Sequence, residues 1–277
     1  MALLSIKRDA EEIQLNYIDY GQGQPVILIH GWPLSHQSWE KQIPAIVDAG
    51  YRCIAYDRRG FGKSSAPYDT YDYSSLASDL HELIEQLQLK DVVLVGFSMG
   101  GGEVVRYLTD YGASKVAKAV LVASIIPLVK QHDDNPNGVP AAALEDIIKA
   151  IQKDRFAFLA EFHKGFYNYN WSKKDVSEQQ LDFDFSVASQ ASSLATIGAA
   201  KAWMDIDFRE ECKHMNVPTL IIHGKADQTV PIETSAEQAV TLIPNSKLIV
   251  YDDAPHGLNV THSDQLNKDL IAFLTSQ

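Results

Sequence analysis

The segment Val92–Gly102 constrains the fold of this chain more strongly than any other stretch. Its first four residues are apolar, three of them valine, and predict a strand that is buried on both faces. A Gly-x-Ser-x-Gly motif follows at residues 96–100, and Glu103–Tyr111 has the apolar spacing of a helix. Strand, sharp turn and helix form the context in which this motif exposes a reactive serine, here Ser98. In isolation the motif also fits a simple connecting turn, so the functional interpretation depends on the strand and the helix that flank it.

Strands and helices alternate over much of the remaining chain. Apolar runs predict strands at Leu3–Lys7, Ile13–Tyr20, Val26–Ile29, Arg52–Tyr56, Lys118–Ser124, Thr219–Gly224 and Lys247–Tyr251. This alternation predicts an α/β fold with a mostly parallel sheet and helices on both faces. The first two strands, joined by a polar turn at Arg8–Glu12, are expected to form an antiparallel edge. A helix that Ser74 or Ser75 can cap is predicted to run to Leu87.

The alternation stops between residues 125 and 215. Helical patterns cover Ala141–Ile151, Asp154–Phe166 and Ser186–Trp203, and this part of the chain is rich in aromatic residues. We therefore predict a core formed by residues 1–124 and 216–277 and a helical cap formed by residues 125–215. The cap is interpreted as a lid over a hydrophobic pocket, although ordinary helix packing would explain the same pattern.

Composition excludes several classes of function. The chain has 277 residues, 45% of them hydrophobic, which suits one large domain or a domain with an insertion. A net charge of −12 without a cluster of basic residues argues against nucleic acid and anionic membranes as partners. Cys53 and Cys212 match no zinc or redox spacing, so no metal or cofactor is expected. The chain shows neither a signal peptide nor a membrane-spanning run, so a cytoplasmic location is predicted.

Two loops supply partners for the serine. A serine hydroxyl attacks only when a base takes its proton, and histidine has a suitable pKa. His256 follows the last predicted strand and Asp227 follows the strand before it, so both should reach the carboxyl edge of the sheet where Ser98 lies. The chain order serine, aspartate, histidine is the one expected on this architecture. Asp252 and Asp253 are rivals to Asp227 as the acid that orients the histidine.

The other candidate residues surround the serine. An oxyanion needs donors aimed at it, and the backbone N–H groups of Trp32 and Met99 are the predicted pair. Pro33 follows Trp32 and has no N–H to donate. His30 and His223 end strands and are expected to hold turns by hydrogen bonds. The remaining histidines, His36 among them, have no matching acidic partner in the sequence pattern.

Together these motifs resemble the α/β-hydrolase family, and within it the cofactor-free bacterial haloperoxidases, also called non-heme chloroperoxidases, and aryl esterases. The resemblance rests on residues 30–34, 56–62, 96–103, 133–136 and 226–228. It implies an eight-stranded sheet with a helical cap, ester hydrolysis, and perhydrolysis of carboxylic acids by hydrogen peroxide, without heme or metal. The predicted small-molecule partners are therefore an ester or a carboxylic acid and hydrogen peroxide. The predicted substrate pocket contains Pro33, Phe97, Ile125, Phe162, Trp203 and Val230.

Other functions remain open at this stage. A γ-lactamase or another amidase would use the same three residues, and so would a ligand receptor built on a hydrolase fold. A comparison of lactam and ester rates separates the esterase from the lactamase or amidase, and rapid turnover of a short p-nitrophenyl ester argues against a receptor. The sequence leaves open whether the chain forms a homo-oligomer.

Overall fold

In residues 2–8, 11–170, 172 and 174–276, which the computed structural model describes, eight strands form one sheet. The strands are β1 (Ala2–Arg8), β2 (Glu11–Tyr20), β3 (Pro25–Ile29), β4 (Arg52–Tyr56), β5 (Val92–Phe97), β6 (Val116–Val122), β7 (Thr219–Gly224) and β8 (Ser246–Tyr251). Their spatial order is β1-β2-β4-β3-β5-β6-β7-β8. The strands from β3 to β8 pair in parallel, whereas β2 pairs antiparallel with β1 and β4. This confirms the predicted fold class; residues 9 and 10 of the predicted first turn lie outside the described ranges.

Helices cover both faces of the sheet. They are α1 (Gln42–Asp48), α2 (Tyr73–Gln86), α3 (Gly100–Tyr111), α4 (Ala141–Lys153), α5 (Arg155–Phe166), α6 (Glu178–Ser189), α7 (Ser193–Asp205), α8 (Arg209–Cys212), α9 (Ala236–Leu242), α10 (Leu258–Thr261) and α11 (Ser263–Thr275). Leu80 of α2 and Val104 of α3 pack on one face of the sheet, and Ile46 of α1 and Leu270 of α11 pack on the other. This double cover explains why β3, β5 and β7 are buried along their whole length.

Some predicted helix boundaries are wrong. Helix α2 is capped by Asp72, whose side chain accepts the backbone N–H of Ser75 at 3.0 Å, rather than by Ser74 or Ser75. The predicted helix from Ser186 to Trp203 is two helices, because Ser192 takes an extended conformation and its hydroxyl accepts the N–H of Ala195 at 2.9 Å. Serine and aspartate side chains commonly accept a backbone N–H group in this way at the start of a helix.

Helices α4 to α8 fill the connection between β6 and β7. Within it, α8 is tied to helix α3 of the sheet layer, since Arg106 donates to both carboxylate oxygens of Glu211, at 3.1 and 2.7 Å. The division into a core and a cap at residues 125 and 215 stays a prediction. None of the helices in the described ranges combines the length and the apolar character that crossing a membrane requires.

Candidate active site

The turn after β5 holds Ser98 in a strained position. Its φ angle is 52°, in the left-handed region that residues with a side chain rarely adopt. The turn is this tight because α3 folds back over the strand: a β-carbon on Gly96 would lie 2.5 Å from the carbonyl oxygen of Gly100. Ser98 donates its backbone N–H to Val122 at 2.9 Å and is only 6% exposed. The hydroxyl is therefore held at the carboxyl edge of the sheet.

The structure brings Ser98, His256 and Asp227 together. His256 Nε2 lies 2.9 Å from Ser98 Oγ, and His256 Nδ1 lies 2.7 Å from Asp227 Oδ2. A carboxylate only accepts, so Nδ1 carries the proton and Nε2 is free to accept the proton of the serine. Of the rival acids, Asp253 contacts His262 instead, at 3.2 Å, and Asp252 is exposed.

The carboxylate of Asp227 is held by four groups. Its Oδ1 accepts the backbone N–H groups of Thr229 at 2.9 Å and Val230 at 2.8 Å. Its Oδ2 faces His256 and also His223, whose Nε2 lies 3.3 Å away. Burial alone would raise the pKa of this carboxyl group, but the charge of His256 and hydrogen bonds from His223 and His256 outweigh burial and lower the pKa. Asp227 is therefore ionised at neutral pH and can stabilise a positively charged imidazole ring.

His223 was predicted only to hold a turn, and it also touches the acid. Its Nε2 lies 2.9 Å from the carbonyl oxygen of Val230, which can only accept, so this nitrogen carries a proton. The same N–H faces Asp227. The prediction of a turn contact is correct, while the second contact was missed because the sequence does not show that the loop curls back over its own strand.

Helix α5 positions the loop that carries His256. The backbone N–H of Gly257 donates to the carbonyl oxygen of Phe166 at 3.0 Å, and the Phe166 ring meets the imidazole edge to face at 4.9 Å. Tyr167 packs so closely on Gly257 that a β-carbon there would lie 2.2 Å from its ring. Asp184 of α6 in turn accepts the Tyr167 hydroxyl at 2.6 Å. His256 is thus held in position by contacts from α5 and the residue after it, and α6 supports those contacts.

Trp32 and Met99 present backbone N–H groups beside the serine. Both residues are almost fully buried and line the same cavity as Ser98. In the part of the chain that the structure describes, neither N–H has an acceptor. Unpaired buried N–H groups are rare and costly, and two of them next to a nucleophile can hold a negatively charged oxygen. We therefore propose these two N–H groups as the donors of an oxyanion hole.

A small apolar cavity of about 70 Å³ opens at the serine. It is lined by Trp32, Ser98, Met99, Ile125, Ile147, Phe162, Trp203, Thr229, Val230 and His256. Trp32 forms one wall, packed against Phe162 at 5.2 Å and Trp203 at 6.0 Å between ring centroids. A larger groove of about 610 Å³ lies between residues 68–73 and α7, but it contains none of these reactive groups.

Comparison with known proteins identifies the family. A family model described as alpha/beta hydrolase fold matches residues 24–263. The chain belongs to the alpha/beta hydrolase fold family. It is 38% identical to a non-heme chloroperoxidase of Kitasatospora aureofaciens, over 95% of this chain and 96% of that protein. It is 37% identical to a bifunctional esterase/perhydrolase of Acinetobacter calcoaceticus, over 95% and 97%. The crystal structure of a bromoperoxidase from Bacillus anthracis matches with a TM-score of 0.95 and 45% identity, over 99% and 100%. The resemblance found in the sequence is confirmed.

Two residues predicted for the substrate pocket of this alpha/beta hydrolase lie elsewhere. Phe97 is fully buried and does not line the cavity, and its ring packs against Trp39 at 5.9 Å and against His256 at 5.3 Å between ring centroids. Side chains alternate along a strand, so the residue before Ser98 faces the opposite side. Pro33 is buried but does not line the cavity. The cavity is lined by four of the predicted pocket residues: Ile125, Phe162, Trp203 and Val230. Ile147 and Thr229 also line it, and the sequence analysis did not predict them.

His36 does have an acidic partner, contrary to the prediction. Its Nδ1 lies 2.6 Å from Asp57 Oδ1, and its backbone N–H donates to the same oxygen at 2.9 Å. Asp57 also accepts the side-chain amide of Asn16 and the backbone N–H of Lys63, each at 2.9 Å. His36 and Asp57 follow the neighbouring strands β3 and β4, and this pair fastens the two loops of the hydrolase to one another.

A buried ion pair connects the loop after β3 to helix α3. Arg58 donates through Nε to Glu103 Oε1 at 2.5 Å and through Nη2 to the carbonyl oxygen of His30 at 2.7 Å. Tyr56 donates its hydroxyl to the other Glu103 oxygen at 2.6 Å. His30 is two residues from Trp32, and Glu103 is four residues from Met99. The pair therefore links the loop after β3 to the first turn of α3.

Replacing Asp227 with asparagine should lower ester turnover by roughly 10⁴-fold without unfolding the protein. The amide can select the tautomer of His256 that has no lone pair facing Ser98. The measurement is the steady-state rate on p-nitrophenyl acetate, with circular dichroism as the check on folding. Asp253→Asn is the matched control and should keep the wild-type rate, because Asp253 contacts His262. A larger loss in the control than in Asp227→Asn would show that the acid is assigned to the wrong residue.

Proposed function

We propose that this protein is a serine hydrolase of small acyl or aryl esters that works through an acyl-enzyme and also uses hydrogen peroxide in place of water. The observation that carries the proposal is the chain of contacts from Asp227 through His256 to Ser98 at the wall of an apolar cavity. The cavity is small, at about 70 Å³, which favours a short acyl group.

The mechanism follows from the hydrogen bonds. His256 Nε2 takes the proton of Ser98 as Oγ attacks the ester carbonyl carbon, and Asp227 stabilises the charged imidazole. The carbonyl oxygen becomes negative and is held by the N–H groups of Trp32 and Met99. The C–O bond to the alcohol breaks, and the alcohol leaves with the proton from His256. A second nucleophile then attacks the acyl-enzyme in the same way and releases the acid.

Perhydrolysis requires only that the second nucleophile be hydrogen peroxide. The acyl group then leaves as a peracid, which oxidises halide in solution. This links the esterase chemistry to the haloperoxidase names of the relatives, one of which is called a bifunctional esterase/perhydrolase. The residues of the triad and the two N–H groups supply every group that these steps use. A cytoplasmic location remains a prediction.

Halide oxidation should appear only when hydrogen peroxide and a carboxylic acid such as acetate are both present. The reason is that the oxidant is the peracid, which needs the acyl donor. The assay follows bromination of a dimedone indicator in acetate buffer and in a buffer without any carboxylate, with Ser98→Ala as the control. Comparable bromination without carboxylate, or with Ser98→Ala, contradicts the peracid route. Turnover of p-nitrophenyl acetate excludes a pure receptor, and a faster rate on a γ-lactam would favour the amidase.

A further inference from the structure

Thr229 lines the catalytic cavity and carries a hydroxyl group. Among the residues that line the cavity, Ser98, His256 and Thr229 carry polar side chains, and the indole rings of Trp32 and Trp203 have their own N–H groups. Trp32 donates its indole N–H to the carbonyl oxygen of Thr196 at 3.0 Å, and the indole N–H of Trp203 is enclosed by protein atoms. Among these lining residues, Thr229 therefore carries the hydroxyl outside the triad, a group that can both donate a hydrogen bond and accept one.

The backbone of Thr229 is fixed relative to the triad. It lies two residues after Asp227, and its N–H donates to Asp227 Oδ1 at 2.9 Å. Thr229 is half-buried, and its hydroxyl has no hydrogen-bond partner within the described ranges. The cavity is small, at about 70 Å³, and Thr229 and His256 both line it, so a molecule bound there lies close to both residues.

Hydrogen peroxide differs from water by a second oxygen, and this oxygen needs a partner. During attack on the acyl-enzyme the inner oxygen approaches the acyl carbon and gives its proton to His256. The outer hydroxyl would otherwise face the apolar walls formed by Ile125, Ile147 and Val230. An unpaired hydroxyl in such surroundings is costly. The oxyanion N–H groups are already occupied by the acyl oxygen at this step.

We propose that the Thr229 hydroxyl binds the outer hydroxyl of hydrogen peroxide and so favours perhydrolysis of the acyl-enzyme over its hydrolysis. The inference rests on the proposed function and adds a residue that selects the nucleophile. In the step itself the inner peroxide oxygen bonds to the acyl carbon, and the bond from that carbon to Ser98 Oγ breaks. The peroxide proton passes to His256 Nε2 and then to Ser98 Oγ, so the peracid leaves and the free enzyme returns.

The test is the partition of one acyl-enzyme between two products. Enzyme acylated by p-nitrophenyl acetate is supplied with hydrogen peroxide, and the ratio of peracetic acid to acetic acid is measured. This ratio depends neither on the acylation rate nor on the fraction of active protein. Thr229→Val, which replaces the hydroxyl with a methyl group, should lower the ratio about fivefold, since one hydrogen bond is lost. Thr229→Ser keeps the hydroxyl and should stay within about twofold of the wild-type ratio.

Ile147→Val is the matched control, because it trims the same cavity without touching a hydroxyl, and its ratio should stay within about twofold of the wild type. An unchanged ratio in Thr229→Val, or an equal loss in Thr229→Ser, overturns the inference. Ester hydrolysis by the same variants would still support the proposed esterase. A wild-type enzyme that hydrolyses the ester but forms no peracid overturns the perhydrolase part of the proposed function and this inference with it.

Discussion

Replacing Ser98 with alanine should reduce turnover of p-nitrophenyl acetate by about 10⁴-fold or more and leave the fold intact. His256, Asp227 and the N–H groups of Trp32 and Met99 remain in the variant, but none of them can form the acyl-enzyme. His256→Ala should cost about as much, because base and nucleophile act as a unit. The steady-state rate and covalent labelling by a phosphonate ester, detected by mass spectrometry, both report the loss.

Ser124→Ala is the control for this experiment. Ser124 is buried beside the turn, and its hydroxyl lies 3.4 Å from the carbonyl oxygen of Ser98 without reaching His256. This variant should still be labelled by the phosphonate at Ser98. Esterase activity that survives in Ser98→Ala, or labelling that moves to another residue, would overturn the proposed mechanism.

Replacing Glu103 with alanine should lower the free energy of unfolding by about 3–5 kcal/mol. Glu103 and Arg58 are both fully buried, and the change leaves the Arg58 charge without its partner. Burial raises the pKa of Glu103, and the Arg58 charge beside it opposes that shift. Urea unfolding followed by circular dichroism measures the effect as a lower midpoint with an unchanged slope.

Glu161→Ala provides the comparison for this second experiment. Glu161 pairs with Lys164 at 2.7 Å on the surface of α5, where 72% of its side chain is exposed. Water and salt screen such a pair, so its loss should leave the unfolding midpoint unchanged. Equal midpoints for Glu103→Ala and the wild type would mean that the buried pair contributes no net stability.

The sequence predicts the sheet and the triad because both depend on short-range patterns. Buried strands appear as apolar runs, and residues that follow parallel strands must meet at one edge of the sheet. That rule alone brings Asp227 and His256 to Ser98. Applied to the loops after β3 and β4, it would also have found the contact between His36 and Asp57.

The features that sequence reasoning missed depend on side-chain direction and on loop paths. Phe97 adjoins the serine in the chain, but its ring lies on the far side of the turn. The contact of His223 with Asp227 requires the loop after β7 to curl back. Ile147 belongs to an amphipathic helix whose orientation over the cavity is set by packing. None of these has a local pattern that sets it apart from ordinary core or loop residues.

The contacts of α5 with the His256 loop have a consequence for protein engineering. Segments between β6 and β7 are natural targets for exchange between relatives when a new substrate range is wanted. In this chain such a graft would also remove the carbonyl oxygen of Phe166 that Gly257 binds and the Tyr167 ring that covers the same glycine. A chimera would lose the alignment of its base together with its old specificity. Grafts that retain residues 166 and 167 and change the facing side chains of α4 and α7 avoid that loss.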